Sequence, residues 1–238
     1  MIGKQDLKKA DHIIAVSEFT KEFMQKNIGV KLNKINVIPH GITIKQTYAQ
    51  TNTQEKNIIL SVGSMMPYRR YEDVILAFEK FKKHDQNNAQ LIIVGGGSDD
   101  DYRIKINKLV KQSKFNNDIF IKGKLPHKDV INLYLQSKIF IMSSEIEACP
   151  NTALEAMAYA CCIISSSNKP MPEFFDHAAL YYSKRDIDQL FNCIRICYQD
   201  AAQRKKMKQL AFERSKRYTW VETLDKTYNL LKESHHEN

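Results

Sequence analysis

The sequence lacks the long apolar segments that anchor or export a protein. No apolar run reaches about 18 residues, the length at which a hydrophobic stretch becomes a candidate transmembrane helix. The opening residues Met1–Asp6 have no apolar core of signal-peptide length. No internal repeat is visible either. We therefore expect a cytoplasmic protein of ordinary globular composition, with 43% hydrophobic and 26% charged residues.

Cysteine is scarce and lacks the spacing of metal ligands. The five cysteines include no C-x-x-C pair, and most of them lie inside apolar runs. Such cysteines are typical of reduced, buried thiols rather than of zinc ligands or disulfides. We therefore expect free thiols and no metal site.

The charge is basic, but it follows no nucleic-acid-binding pattern. Lysine and arginine number 36 against 27 acidic residues, a net charge of +9. This excess suits an anionic partner, which could be nucleic acid, anionic lipid or a phosphorylated small molecule. The sequence has no arginine-rich tract, zinc-finger spacing or aromatic RNA-binding signature, so we expect no nucleic-acid partner.

Short apolar runs rich in isoleucine and valine alternate with amphipathic stretches. Short, continuous apolar runs of this kind are typical of strands buried on both faces of a parallel sheet. The predicted strands are His12–Val16, Ile35–Ile38, Ile58–Val62, Leu91–Val94, Ile119–Lys122, Ile139–Met142, Cys162–Ser165 and Ala179–Tyr182. Helical spacing predicts helices over Tyr71–His84, Asp101–Lys114, His127–Gln136, Asn151–Ala160, Asp186–Tyr198, Ala201–Arg217 and Trp220–Lys232.

This alternation predicts the fold class and one boundary. It indicates an α/β protein with a Rossmann-like, doubly wound parallel sheet and a helical C-terminus, whose polar tail Glu233–Asn238 should fray. Pro39-His40-Gly41 ends a strand, and Thr43–Lys56 is a polar, patternless linker. We therefore predict a strand–helix–strand unit over residues 1–44 and a main domain over residues 45–238.

Ligands of doubly wound sheets bind at loops that follow the carboxyl ends of strands. After Ile58–Val62, Gly63 and Ser64 begin a loop that ends in Arg69 and Arg70, two cations suited to phosphate. The alternative is that both arginines are solvated at a helix N-terminus.

Two further loops carry weaker signals. The glycine run Gly95–Gly97 matches no phosphate-loop pattern, so a flexible connection is at least as well supported. The loop with Lys124 and Leu125 could line a nucleobase pocket or be a plain strand-to-helix turn.

The loop from Glu147 to Glu155 is the most informative. Pro150 suits the first turn of a helix, which leaves the N–H groups of Asn151 and Thr152 free to bind an anion. Glu155 lies about 7.5 Å further along the helix axis at 1.5 Å per residue. Two carboxylates would thus flank one anion site, and a carboxylate can accept hydrogen bonds from adjacent sugar hydroxyls. The alternative is two solvated glutamates.

These residues also resemble a known family. Glu147-x7-Glu155 followed by Ala156-Met157-Ala158 resembles the E-x7-E motif of glycosyltransferase family 4, also called glycosyl transferases group 1. Further segments resemble the family's motifs in the same order: Ala10–Ser17, Val37–Gly41, Leu60–Arg70, Ile92–Gly97, Phe120–Gly123, Tyr134–Ile141 and Tyr218–Trp220. The resemblance covers nearly the whole chain and implies the GT-B fold, in which two Rossmann-like domains face each other across a cleft.

The resemblance implies a metal-independent, anomer-retaining transfer from a UDP- or GDP-linked sugar, with no other cofactor. Glu147 would contact the donor sugar as the catalytic residue, and Glu155 would bind the ribose hydroxyls. The remaining donor-binding positions would be Gly63, Ser64, Arg69, Arg70, Lys124, Leu125, Ala148, Cys149, Pro150, Asn151 and Thr152. Ser64 stands where the family has an arginine and Arg69 where it has a lysine, so one phosphate-binding cation is lost and Arg70 would compensate.

The chain is short for such an enzyme, because the resemblance implies a complete N-terminal domain that binds the acceptor. Residues 1–44 would supply only the last strand–helix unit of that domain. We expect a donor-binding subunit that acts with a partner chain, with peripheral contact at the inner membrane face as a further expectation. The alternative is a non-catalytic nucleotide-sugar-binding module or a truncated remnant.

Overall fold

A short α/β unit precedes a larger parallel sheet. The computed structural model describes residues 4–44, 46–51, 54–97 and 99–236. The leading unit consists of α1 (Lys4–Lys9), β1 (Ile13–Ala15), α2 (Glu18–Phe23) and β2 (Ile35–Val37), and α3 (Tyr48–Thr51) follows it. β1 and β2 pair in parallel as a two-stranded sheet.

The main sheet contains six parallel strands within the described ranges. These are β3 (Ile58–Val62), β4 (Gln90–Val94), β5 (Ile119–Ile121), β6 (Ile139–Met142), β7 (Ile163–Ser166) and β8 (Ala179–Tyr182). Their order across the sheet is β5-β4-β3-β6-β7-β8. The chain therefore runs outward from β3 to β5 and returns to the other side of β3, which places a topological switch point between β3 and β6.

Helices cover both faces of this sheet. They are α4 (Tyr71–Asp85), α5 (Asp100–Gln112), α6 (His127–Gln136), α7 (Asn151–Ala158), α8 (Met171–Phe175), α9 (Ile187–Gln199), α10 (Ala201–Ser215) and α11 (Trp220–His236). Consecutive strand residues alternate between two cores: Ile59 packs in one and Leu60 in the other. Every residue of β3 is buried, as expected for a strand covered on both faces.

The leading unit is fastened to the main sheet through the N-terminus of α2. The Glu173 carboxylate of α8 accepts hydrogen bonds from the backbone N–H groups of Glu18, at 2.7 Å, and Phe19, at 3.2 Å. These are orphan donors of the first helical turn, and a carboxylate at that end also complements the helix dipole. Lys169 adds an ion pair to Glu22 at 3.1 Å.

The predicted fold class is confirmed: the protein is α/β, with a Rossmann-like parallel sheet and a helical C-terminus. Each predicted strand matches an observed one to within one residue at either end. The five thiols are free as expected, although Cys149 and Cys193 are only half-buried. No helix in the described part of the chain has both the length and the apolarity to cross a membrane.

Three local expectations need correction. The predicted linker Thr43–Lys56 contains α3, although residues 45, 52 and 53 lie outside the described ranges. The sequence reading missed α8, which follows Pro170. The fraying predicted for Glu233–Asn238 is wrong as far as His236, because α11 continues and the Ser234 hydroxyl donates to the Leu230 carbonyl at 3.0 Å. Residues 237 and 238 lie outside the described ranges.

Candidate functional site

The loops after β3 and β6 meet at the switch point and bring Arg69 to Glu147. Arg69 Nη1 lies 2.6 Å from Glu147 Oε1, and both side chains are about one-tenth exposed, at 12% and 10%. Burial raises the pKa of the Glu147 carboxyl, while the charge of Arg69 and a hydrogen bond from Ser144 act in the opposite direction. Arg69 Nε and Glu147 Oε1 are buried without an aligned hydrogen bond in the described structure. The pair is therefore a buried ionic contact between oppositely charged side chains.

Gly63 makes room for this arginine. A Cβ atom at Gly63 would lie 2.9 Å from the Cζ and Nε atoms of Arg69, closer than such atoms approach. The Gly63 N–H donates to the Val94 carbonyl at 2.9 Å, so the glycine cannot easily shift away. The neighbouring Ser64 hydroxyl lies 3.0 Å from the Tyr68 hydroxyl.

Arg70 points elsewhere, although it is adjacent to Arg69 in sequence. Its backbone has φ +53°, in the left-handed region, and this residue precedes the first turn of α4. The guanidinium makes two hydrogen bonds to Asp73, at 2.8 and 3.1 Å, and an ion pair with Glu72 at 2.9 Å. Glu145 lies 3.6 Å away. Arg70 thus neutralises acids of α4 and the β6–α7 loop, and its predicted compensation for Ser64 stays a prediction.

The first turn of α7 leaves two amides unpaired. The intrahelical hydrogen bonds begin at Ala153, whose N–H donates to the Pro150 carbonyl at 2.9 Å. In the part of the chain that the structure describes, the N–H groups of Asn151 and Thr152 have no acceptor. The Asn151 side chain contacts His40 of the crossover, Oδ1 to Nδ1, at 2.9 Å. A helix N-terminus with two free amides, an arrangement that suits an anion, therefore lies beside Ala148 and Cys149.

Two partners on α6 hold Glu155. The Tyr134 hydroxyl donates to Glu155 Oε2 at 3.1 Å, and His127 Nε2 lies 3.1 Å from Oε1. Burial, followed by the charge of Glu155, raises the pKa of Tyr134, so the phenol remains a donor. The Glu155 side chain is 24% exposed and can still accept from a ligand.

In the sequence, His127 ends the candidate loop that contains Lys124 and Leu125, but no contact of His127 or Tyr134 with Glu155 is predicted. Tyr134 follows His127 by seven positions, which is two helical turns, so both lie on one face of α6. That spacing was the signal available in the sequence. His40 was likewise visible only as a residue of the Pro39-His40-Gly41 crossover.

The two glutamates line different cavities. Glu155 lines a cavity of about 500 Å³ together with His40, Asn151, His127 and Trp220. Glu147 and Ala148 line a second cavity of about 360 Å³. Lys124 lies in a third, of about 430 Å³, beside Gly95–Gly97, and Leu125 packs against the core. The first turn of α7, rather than one shared pocket, connects the two carboxylates.

Fold and site together define the class of the protein. A six-stranded Rossmann-like parallel sheet, preceded by a two-stranded parallel sheet, matches the fold of GT-B glycosyltransferases over part of their length. The chain belongs to the family "Glycosyl transferases group 1", which matches residues 44–214, and residues 1–46 match "Glycosyltransferase Family 4".

Curated relatives of the chain include named glycosyltransferases. An uncharacterized glycosyltransferase of Methanocaldococcus jannaschii is 28% identical over 69% of this chain and 43% of its own length. The O-antigen chain mannosyltransferase RfbU of Salmonella typhimurium is 26% identical over 77% of this chain and 50% of its own. The chain thus spans about half the length of these relatives.

Two solved structures share the fold. Staphylococcal (S. aureus) TarM, in a complex that includes UDP, superposes with a TM-score of 0.83 at 19% identity, over 95% of this chain and 45% of its own. HepE of Anabaena, in complex with UDP-glucose, superposes with a TM-score of 0.83 at 16% identity, over 97% of this chain and 68% of its own.

Proposed function

We propose that this chain binds a nucleotide-diphosphate sugar, UDP- or GDP-linked, and supports a retaining transfer of the sugar to an acceptor hydroxyl. The observation that carries the proposal is the set of groups around the first turn of α7. Two unpaired amides begin this turn, Glu147 of the preceding loop pairs with the cation of Arg69, and Glu155 is held one helical turn further on. The UDP and UDP-glucose complexes of TarM and HepE support the same ligand class.

Each group has a role in this proposal. Arg69 and the amides of Asn151 and Thr152 hold the diphosphate and stabilise the charge that develops on it as it leaves. Glu147 contacts the donor sugar, and Glu155 accepts hydrogen bonds from the ribose hydroxyls.

The remaining predicted positions shape the donor site. They are Gly63, Ser64, Arg70, Lys124, Leu125, Ala148, Cys149 and Pro150, with Lys124 and Leu125 beside the base.

The proposed transfer replaces one bond at the anomeric carbon of the donor by another. The acceptor oxygen forms a bond to this carbon while the bond from the carbon to the diphosphate oxygen breaks. The acceptor's hydroxyl proton passes to the departing nucleoside diphosphate, which also takes the electron pair of the broken bond. Retention means that the acceptor enters on the face from which the diphosphate leaves.

The donor site is tested by ligand-induced stabilisation. UDP or GDP at millimolar concentration should raise the melting temperature, because a ligand at about 100 times its Kd stabilises the folded state by about 2.7 kcal/mol. Since protein cations and amides offset the charge in this proposal, EDTA should leave the rise unchanged. Differential scanning fluorimetry with and without EDTA measures both effects. No rise with any nucleoside diphosphate would contradict the donor site, and loss of the rise in EDTA would contradict metal independence.

Replacement of Gly63 tests the placement of Arg69. Because a Cβ atom at position 63 would contact the guanidinium, Gly63→Ala should push Arg69 out of place. We expect the affinity for UDP to fall about tenfold or more, the usual scale for a lost charged hydrogen bond. Isothermal titration calorimetry measures the change. Glu213→Ala, at a side chain that is 55% exposed, serves as the control. Equal UDP affinities of Gly63→Ala and the wild type would refute the placement.

The acceptor domain belongs to the same proposal. We propose that residues 1–44 are the end of an acceptor-binding domain, that residues 45–238 are the donor domain, and that a partner chain completes the former. Since the chain spans about half the length of its relatives, the chain alone should hydrolyse sugar nucleotides at a rate near zero. The named transferase function of RfbU favours an enzyme over a non-catalytic module.

A cytoplasmic location, with peripheral contact at the inner membrane face, completes the proposal. The net charge of +9 supports it, because anionic lipid attracts a basic surface.

A further inference from the structure

The cavity beside Glu147 has apolar walls contributed by segments that are far apart in sequence. Its volume is about 360 Å³, and it is lined by Phe19, Thr20 and Phe23 of α2 and, opposite them, by Tyr68, Ile146 and Glu147. Three of these residues are aromatic and one is a branched aliphatic. Glu147 supplies the acidic group, on the side where Arg69 contacts it.

Each wall of the cavity is held in place by contacts with neighbouring residues. Phe19 and Phe23 are four residues apart and therefore lie on one face of α2. The hydrogen bonds from Glu18 and Phe19 to Glu173 fix that helix against the main domain. On the other wall, Arg69 lies 5.3 Å from the ring centroid of Tyr68, so the aromatic wall continues to the ion pair.

Two of the apolar side chains of the cavity are exposed rather than packed. Phe23 is 49% exposed and Ile146 is 53% exposed. Single exposed apolar residues are common, but several that converge on one concave surface mark a binding site. An apolar group placed against these walls would be removed from water, which favours its binding.

We propose that this cavity is the acceptor subsite and that the acceptor is a hydroxyl compound bearing an apolar group such as an alkyl chain. The inference rests on the proposed function for the role of Glu147. The polar parts of the donor, its diphosphate and ribose, have their partners at Arg69, at the α7 terminus and at Glu155. An acceptor hydroxyl must reach the sugar at Glu147, and the remainder of that molecule then lies between the aromatic walls.

The test compares two probes that differ only in their apolar part. n-Hexyl β-D-glucoside and methyl β-D-glucoside are titrated, by saturation-transfer NMR, into the full 238-residue chain with excess UDP. We expect the hexyl glucoside to bind at least about tenfold more tightly, the factor for moving about two methylene groups out of water. Phe23→Ser and Ile146→Ser should each reduce this preference severalfold. Ile104→Ser on α5, whose side chain is 62% exposed, should leave it unchanged.

Three outcomes would overturn the inference. The first is equal binding of the two glucosides to the wild type, and the second is a preference that survives both cavity variants. The third is a change from dimer to monomer in Phe23→Ser, which would make the cavity an interface between copies. The UDP-induced rise in melting temperature, measured on the same variants, separates these outcomes from a failure of the donor site. That rise should persist in Phe23→Ser and Ile146→Ser, because neither side chain contacts the α7 terminus in the proposal.

Discussion

Replacement of Glu155 by alanine is expected to abolish the rise in melting temperature that UDP or GDP produces. The carboxylate is preorganised by Tyr134 and His127, each at 3.1 Å, so it can accept from ribose hydroxyls without a further ordering cost. Loss of hydrogen bonds between a charged group and the ligand should weaken binding by about 1.5–3 kcal/mol for each bond. With two bonds lost, the remaining affinity should be too low for a measurable rise.

A modified ligand provides the most specific control for the Glu155→Ala experiment. A UDP analogue that lacks both ribose hydroxyls should bind the wild type and Glu155→Ala with equal affinity, because it cannot use the carboxylate in either protein. Glu213→Ala, at a side chain that is 55% exposed, should respond to UDP as the wild type does. If Glu155→Ala retains the full UDP-induced rise, the ribose role is wrong.

The Glu155→Ala variant should be less stable than the wild type even without ligand. Glu155→Ala leaves the hydroxyl of Tyr134 buried without its acceptor, which costs about 1–3 kcal/mol of stability. Adding Tyr134→Phe removes that hydroxyl and should recover part of the loss. Ligand-induced rises are therefore compared with each variant's own unliganded melting temperature.

Gly95→Ala is expected to destabilise the fold by at least about 3 kcal/mol, which combines overpacking with backbone strain. A Cβ atom at Gly95 would lie 1.6 Å from the carbonyl oxygen of Gly63, and the backbone φ of +151° is one that side chains rarely adopt. The Gly95 N–H also donates to the Gly123 carbonyl at 2.8 Å, so three loops are packed together at this point. The expected result is a large fall in the urea midpoint or a failure to accumulate.

Gly96→Ala is the matched control for that experiment. Its Cβ would meet only the Cβ atom of Lys124, at 3.4 Å, so the free energy of unfolding should stay within about 1 kcal/mol of the wild type. If the glycine run were a phosphate loop instead, Gly95→Ala would lower UDP affinity and leave stability unchanged. That result would contradict the packing role.

The structure changes the interpretation of this glycine run. From the sequence, Gly95–Gly97 could be a weak phosphate loop or a flexible connection. In the structure, Gly97 is also restricted, because a Cβ atom there would lie 2.7 Å from the Met65 carbonyl oxygen. The glycines therefore allow two loops to approach closely, a requirement that depends on the neighbouring strand and not on the local sequence.

The sequence by itself determined the strands, the order of the helices and the positions of the two glutamates around Pro150. Strands buried on both faces must be short and apolar, and a proline followed by helix formers begins a helix, so these features follow from local chemistry. The E-x7-E resemblance added the family, because the motif lies within one loop and one helix.

Only the tertiary structure decided which side chains meet. Arg69 and Arg70 are neighbours in the sequence, yet the left-handed backbone of Arg70 turns its guanidinium to Asp73 while Arg69 reaches Glu147. The support of Glu155 by Tyr134 likewise depends on how α6 packs beside α7. The physical reason is that an ion pair or hydrogen bond is selected by a distance of about 3 Å in space, and the chain folds such partners together from positions that no local pattern connects.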